Sequence, residues 1–265
     1  MVQLDDGTDT VTATVNITID PVNDAPVAKF VDQTVAENET VTLDGTLSTD
    51  VDGAEIVEYS WAQTGGTPVS FTDNISKTTF IAPAATDTLT FTLTVTDTGG
   101  LSDTHQGTVW VVEGDSSSGI SPESESSFTP EGASFTLTVP SGGVSQPTSV
   151  VYTENISGYS PPPDQQFLGD PFALTAYVDG EEQTDFSFDT PATITLSYSD
   201  SEMYGMLEST MNLQYWNGSA WSSDGITFVS QDTANNEITF SLAHLTDFAY
   251  MAEEAYMIHL PIVVK

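Results

Sequence analysis

The residues best placed to do chemistry together lie in 235–251, NNEITFSLAHLTDFAYM. His244 stands two positions before the hydroxyl of Thr246, with Leu245 between them. Across a bend, that spacing brings an imidazole base within hydrogen-bond reach of an alcohol, the minimum for base-assisted nucleophilic attack. A second group is acidic. Asp50 and Asp52, followed by Gly53, set two carboxylates around a glycine bend, and such oxygens can converge on a hard divalent cation such as Ca²⁺. Turn-forming aspartates explain the same run equally well. A third group is aromatic: Tyr159, Tyr215, Trp216 and Trp221 would stack on sugar rings if exposed on a β-face, although core packing is the commoner fate of tryptophan.

The elements that position these residues read as strands. Ile238, Phe240 and Leu242 alternate on one face, and after the His-Leu-Thr step apolar residues return at Phe248, Tyr250 and Met251. The pattern predicts two adjoining strands, or one kinked strand, at the end of a domain. Upstream, Ala133–Val139, Ser149–Glu154, Phe167–Tyr177, Ala192–Tyr198 and Met211–Trp216 read as further strands, with Asn217-Gly218 as a hairpin turn. Only Ser201–Leu207 suggests a helical turn. The domain is expected over 128–252, before a tail at 253–265. Residues 114–127, GDSSSGISPESESS, predict a flexible linker.

Before the linker, 27–113 carries short runs at regular spacing: Val27–Val31, Glu39–Leu43, Ile56–Gln63, Val69–Phe71, Thr78–Ile81, Leu89–Thr96 and Gly107–Val112. Trp61 is the expected core tryptophan, facing Leu89, Phe91, Leu93 and Val95. His105 reads as an exposed histidine at a polar strand end. Residues 1–26 hold one alternating strand, Thr8–Ile19, and then a segment whose prolines stop any ladder. The expected fold class is all-β: two tandem antiparallel β-sandwiches joined by a Ser/Glu-rich linker, with a partial β-repeat at the N-terminus.

Composition narrows the chemistry. The chain has 265 residues, 39 acidic against 3 basic (Lys29, Lys77, Lys265), and a net charge of −36. Such a surface offers almost no cation to phosphate, so nucleic acid and anionic membranes are excluded as partners. It attracts divalent cations, or serves solubility in a saline exterior. The absence of cysteine excludes disulfides, thiolate catalysis and cysteine-based zinc sites. No apolar run reaches the roughly 18 residues needed to span a bilayer, and no phosphate loop, Ser-His-Asp motif or EF-hand loop is present. No carboxylate pair stands out for glycoside hydrolysis. The opening residues carry no signal-peptide pattern and begin inside a strand-turn pattern, so a longer parent protein is expected.

Three stretches resemble known families. Asp20-Pro21-Val22-Asn23-Asp24-Ala25-Pro26 resembles the linker of bacterial cadherin-like repeats, which implies Ca²⁺ ligation by Asp20, Asn23 and Asp24. VTLDGTLSTDVDG, YSWAQTGG and LTFTLTVTDTGGLSD resemble the PKD and REJ-like branch of Ig-like sandwiches; that fold would gather Asp44, Asp50, Asp52, Asp97 and Asp103 in loops at one end. The pattern Trp216, Trp221, Gly225, His244, Leu245, Thr246 and Phe248 resembles the end of ZU5-like and GAIN-type domains, and the missing cysteines favour the ZU5-like branch. That resemblance implies self-cleavage: His244 takes the Thr246 proton, the oxygen attacks the Leu245 carbonyl, and water hydrolyses the resulting ester. His244 and Thr246 merely ending a strand is the alternative. The tail, AYMIHLPIVVK, resembles HLPIV-type endings of secreted proteins in some bacteria, against the alternative of a last edge strand.

Together these imply a non-enzymatic stalk and adhesion module, extracellular or at the cell surface, stiffened by Ca²⁺. It would act as a monomeric piece of a longer bacterial chain, with a surface protein or glycan as partner. A self-processing domain and a carbohydrate-binding module are the alternatives.

Overall fold

The computed structural model describes residues 2–5, 7–8, 10–13 and 22–255. Strands β1 (Val2–Asp5) and β2 (Thr10–Ala13) form an antiparallel hairpin. Candidate Asp20 and the tail beyond Ala255 lie outside the described residues.

The first sandwich contains β3 (Gln33–Ala36), β4 (Thr40–Asp44), β5 (Ile56–Gly65), β6 (Lys77–Ile81), β7 (Asp87–Asp97) and β8 (Ser102–Val112). One sheet runs β3-β8-β7-β5 and the other pairs β4 with β6. Every pair is antiparallel except β3 with β8. The alternation of β7 explains its place at the centre: Leu89, Phe91, Leu93 and Val95 are each 0% exposed. They face Trp61, whose indole N–H donates to the Ile75 carbonyl at 2.9 Å, so the buried ring keeps its polar end satisfied.

Two expected strands are absent here. Val27–Val31 makes only a bridge from Val27 to Thr49, because neighbouring amides are taken by side chains: Ala28 N donates to Asp103 and Lys29 N to Ser48. Val69–Phe71 is a loop, its Val69 amide bound to the Gln63 side chain at 2.9 Å. His105 is not at a strand end. It sits within β8, half-buried, with its ring edge-on to Phe30 at 5.1 Å.

The second sandwich contains β9 (Ser116–Ile120), β10 (Ser126–Phe128), β11 (Phe135–Val139), β12 (Thr148–Thr153), β13 (Gln165–Phe167), β14 (Phe172–Val178), β15 (Glu181–Glu182), β16 (Ser187–Ser197), β17 (Asn212–Trp216), β18 (Trp221–Ser222), β19 (Ile226–Asp232), β20 (Glu237–His244) and β21 (Asp247–Glu253). A five-stranded sheet, β10-β11-β16-β20-β19, faces an eight-stranded one that runs β18-β17-β21-β14-β12-β9 with β13 and β15 on its flanks. Between them lies an apolar core that includes Leu137, Val150, Leu174, Ile194, Leu242 and Phe248.

The segment 114–127 does carry the chain from one sandwich to the next, but it is not a flexible linker. Its serines form β9, hydrogen-bonded along β12, and β10, paired with β11. Serine-rich composition is a weak predictor of backbone state where a waiting sheet edge supplies the hydrogen bonds. The helical turn expected near Ser201–Leu207 resolves into turns followed by a 3₁₀ helix at Glu208–Thr210.

Candidate functional site

His244, Leu245 and Thr246 carry the chain across the second sandwich, from β20 in the five-stranded sheet to β21 in the eight-stranded sheet. Leu245 points into the core and is 7% exposed. The segment is tied on both sides: Leu245 N donates to the Phe186 carbonyl at 3.4 Å and Leu174 N donates to the Thr246 carbonyl at 3.0 Å. The His244 ring is caught edge-on by Tyr215 at 4.4 Å, with Phe248 stacked at 6.4 Å. Its Nε2 lies 3.0 Å from the Asp224 carbonyl oxygen. A carbonyl only accepts, so Nε2 is the donor of this contact. Gly225 makes room for the ring: a Cβ there would approach His244 Cδ2 to 2.8 Å, and its φ of +74° favours glycine. Among the described residues no hydrogen bond joins His244 to Thr246.

The acidic candidates separate into distinct partnerships. Asn23 donates from its side chain to Asp97 at 2.7 Å, and Asp24 N donates to Asp52 at 3.0 Å. Thus the N-terminal linker is brought onto the loops that hold Asp50, Asp52 and Asp97. Asp50 Oδ1 accepts from the amides of Asp52 and Ala54, while its Oδ2 finds no partner among the described residues. The Asp52 side chain, first, and then burial push the Asp50 carboxyl up, whereas the same contact holds Asp52 down. Two carboxylates so placed repel one another when both are ionised. Asp103 is spent on the Ala28 amide, and Asp44 pairs with Lys77 at 2.7 Å. Among the described residues no three acidic or histidine side chains gather as a metal site.

The aromatic candidates pack on one another. Trp216 and Trp221 face each other across the β17–β18 hairpin, 5.6 Å apart and edge-on, and Tyr159 lies 5.3 Å from both. The Trp221 N–H donates to the Ser160 carbonyl at 2.9 Å and the Tyr159 hydroxyl donates to Asp247. The cluster clips the 155–164 loop onto the hairpin and leaves its rings half-buried.

The junction between the sandwiches escaped the sequence reading. Edge strand β3 lies beside edge strand β9, and Glu39 spans them: its carboxylate accepts from the amides of Ala36 at 3.1 Å and Ser117 at 3.2 Å, and from the Ser117 hydroxyl. Trp110 on β8 lies flat against Gly180, where a Cβ would come within 2.3 Å of the indole. The legible signal was Asp179-Gly180, a two-residue hairpin turn between β14 and β15. A cleft of about 540 Å³ remains between the two sandwiches, lined in part by Val31, Trp110, Ser118 and Tyr177.

These geometries define tandem β-sandwiches that touch through Glu39, Ser117, Trp110 and Gly180. Residues 31–111 match the family model described as K319L-like, PKD domain, and this stretch is a PKD/Ig-like domain. No curated protein matches the chain at a significant level. Among solved structures, the PKD domain from the KIAA 1837 protein is 28% identical, covers 36% of this chain and 93% of its own, and superposes with a TM-score of 0.31. A nucleoside hydrolase-related hypothetical protein from Saccharophagus degradans, associated with carbohydrate metabolism, is 21% identical with a TM-score of 0.31; the match covers 34% of this chain and 26% of that one. Carbohydrate-binding modules of the β-sandwich superfamily align over 89% of this chain and 93% of theirs, at 16% identity and a TM-score of 0.29. Superpositions this loose carry no functional argument.

Proposed function

We propose that this chain is an extracellular stalk and adhesion segment of a larger bacterial surface protein, a PKD-like sandwich followed by a second, ZU5/GAIN-like sandwich. The observation that carries this reading is the junction, where Glu39 ties the edge strands together and Trp110 rests on Gly180. Two domains so coupled transmit force and orientation instead of swinging on a linker, as a stalk requires. The cadherin-like stretch would continue the same architecture upstream. The net charge of −36 suits a hydrated exterior.

Ca²⁺ is part of the proposal. A cation between Asp50 and Asp52 would relieve their repulsion and fasten the 20–26 linker, whose Asp24 amide already binds Asp52. Calorimetric melting in millimolar Ca²⁺ against chelator tests it. The expected outcome is a melting temperature that rises with the logarithm of Ca²⁺ concentration above the dissociation constant, since a ligand of the folded state stabilises it by about 2.7 kcal/mol at a hundredfold excess over that constant. Identical melts in Ca²⁺ and chelator would remove the metal from the account. Surface labelling of the source cells tests the location, where signal only after lysis would contradict it.

A further inference from the structure

The second sandwich is open along one side. Strand β19 ends the five-stranded sheet and, among the described residues, pairs only with β20. Opposite it, β18 covers β17 at Tyr215 and Trp216 alone, which leaves the β17 edge near Asn212 and Leu213 without a strand among the described residues. Between these edges runs a groove of about 410 Å³, lined in part by Met211, Leu213, Ile226, Phe228 and Phe240. Phe228 stands directly across from Phe240, which is 4% exposed, so both side chains take the core side of the sheet. Yet Phe228 is 57% exposed, and Val229 beside it 52%. A core-side aromatic left in water at a sheet edge marks a place where a further strand belongs.

The character of that strand follows from the lining. The sequence has 39 acidic residues, but no aspartate or glutamate lines the groove. Such a lining takes an apolar segment and gives a buried charge no partner. A second copy would bring another net charge of −36 to the same edge. Residues 256–265, YMIHLPIVVK, lie outside the described residues and contain no acid. In their sequence Tyr256, Ile258, Leu260, Ile262 and Val264 alternate with Met257, His259, Pro261, Val263 and Lys265, so one set at strand period is wholly apolar.

Position and length agree with this. Glu253 N donates to Thr210 Oγ1 at 2.9 Å, and Gln231 Nε2 donates to the Glu208 carbonyl at 3.4 Å. The described chain therefore ends close to the Gln231 end of β19, and a segment entering the groove there runs toward Ile226, antiparallel to β19. Ten residues at roughly 3.4 Å each reach about 34 Å, against about 24 Å for the seven of β19.

We propose that residues 256–265 add to the outer edge of β19 as an antiparallel sixth strand, with Tyr256, Ile258, Leu260, Ile262 and Val264 turned into the groove. An outermost strand bonds through alternate residues only, so Pro261 fits where its nitrogen faces outward. The β19 edge is thus an acceptor for an apolar strand, filled by this chain's own end. The stalk reading is not needed for it and does not depend on it.

The test is paramagnetic broadening in the full chain. The sequence has no cysteine, so Val263→Cys carries a single nitroxide. Amide signals along β19 should broaden, most strongly toward Ile226, and the effect should be unchanged on dilution. Ile258→Asp together with Leu260→Asp, which touch neither described core, should remove the broadening and speed hydrogen exchange of the β19 amides about tenfold, with β7 unchanged. Broadening seen only when labelled chain is mixed with a separate ¹⁵N-labelled chain would give the groove to another copy's end and overturn the proposal. β19 signals indifferent to the label would leave the edge to a strand from another protein and overturn it too, as would broadening that survives the double substitution.

Discussion

Asp97 shows how single aspartates act in this molecule. Its side chain is buried, 1% exposed, yet it remains a carboxylate. Burial raises its pKa, but hydrogen bonds from the Asn23 side chain and the amides of Leu101, Gly99 and Gly100 outweigh burial and hold it below its ordinary value of 3.8. Because the folded value is the lower one, the stabilisation is present above the unfolded value and is lost as pH falls through the folded one. Melting followed from pH 6 to pH 2 should therefore show a steeper low-pH loss in the wild type than in Asp97→Asn, which should melt lower at pH 6. Relief of general charge repulsion acts alike in both and cancels in the difference. Equal slopes would mean that these hydrogen bonds do not hold the Asp97 carboxylate in the folded chain. His244 and Thr246 are a residue-scale question too. The histidine proton is held on the Asp224 carbonyl and no bond reaches Thr246, so intact mass after prolonged incubation should give one uncut chain. A break after Leu245 that disappears in Thr246→Ala would make the self-processing reading the right one. The spacing of these residues was legible in the sequence. The ring's orientation was not, because Tyr215, Asp224 and Gly225 come from other strands and turns.

At the scale of elements, alternation made much of the fold readable. Leu89, Phe91, Leu93 and Val95 are the centre of the first core, and the step from Leu242 to Phe248 does divide two strands. Phe91→Ala should cost about 3–5 kcal/mol in denaturant unfolding, the range for removing a fully buried aromatic ring. A loss under 1 kcal/mol would mean that β7 is not central. What was hidden depended on partners distant in sequence. β9 is nearly all serine and glycine, and it is a strand because β12 presents a free edge to it. Val69–Phe71 alternates like a strand and is a loop because Gln63 satisfies its backbone. Gly180 carries the junction's sharpest constraint, with a φ of +77° and the Trp110 indole where a Cβ would stand. Gly180→Ala should lower stability and loosen the junction, seen as faster proteolysis between Val112 and Ser121; an unchanged digestion rate would count against the Trp110 contact.

The whole molecule is two sandwiches with separate cores and a shared seam. Beyond the Asp179-Gly180 turn the seam was hidden in the sequence, because its main tie, Glu39 to Ser117, joins residues 78 positions apart and Ser117 lies in a segment whose composition reads as linker. Among the described residues no helix is long and apolar enough to cross a membrane. The stalk reading depends on the seam being stiff in solution, and backbone ¹⁵N relaxation measures that directly. The account predicts one rotational correlation time shared by residues of both sandwiches, which Glu39→Ala splits into two shorter ones. Two independent correlation times in the unaltered chain would contradict it.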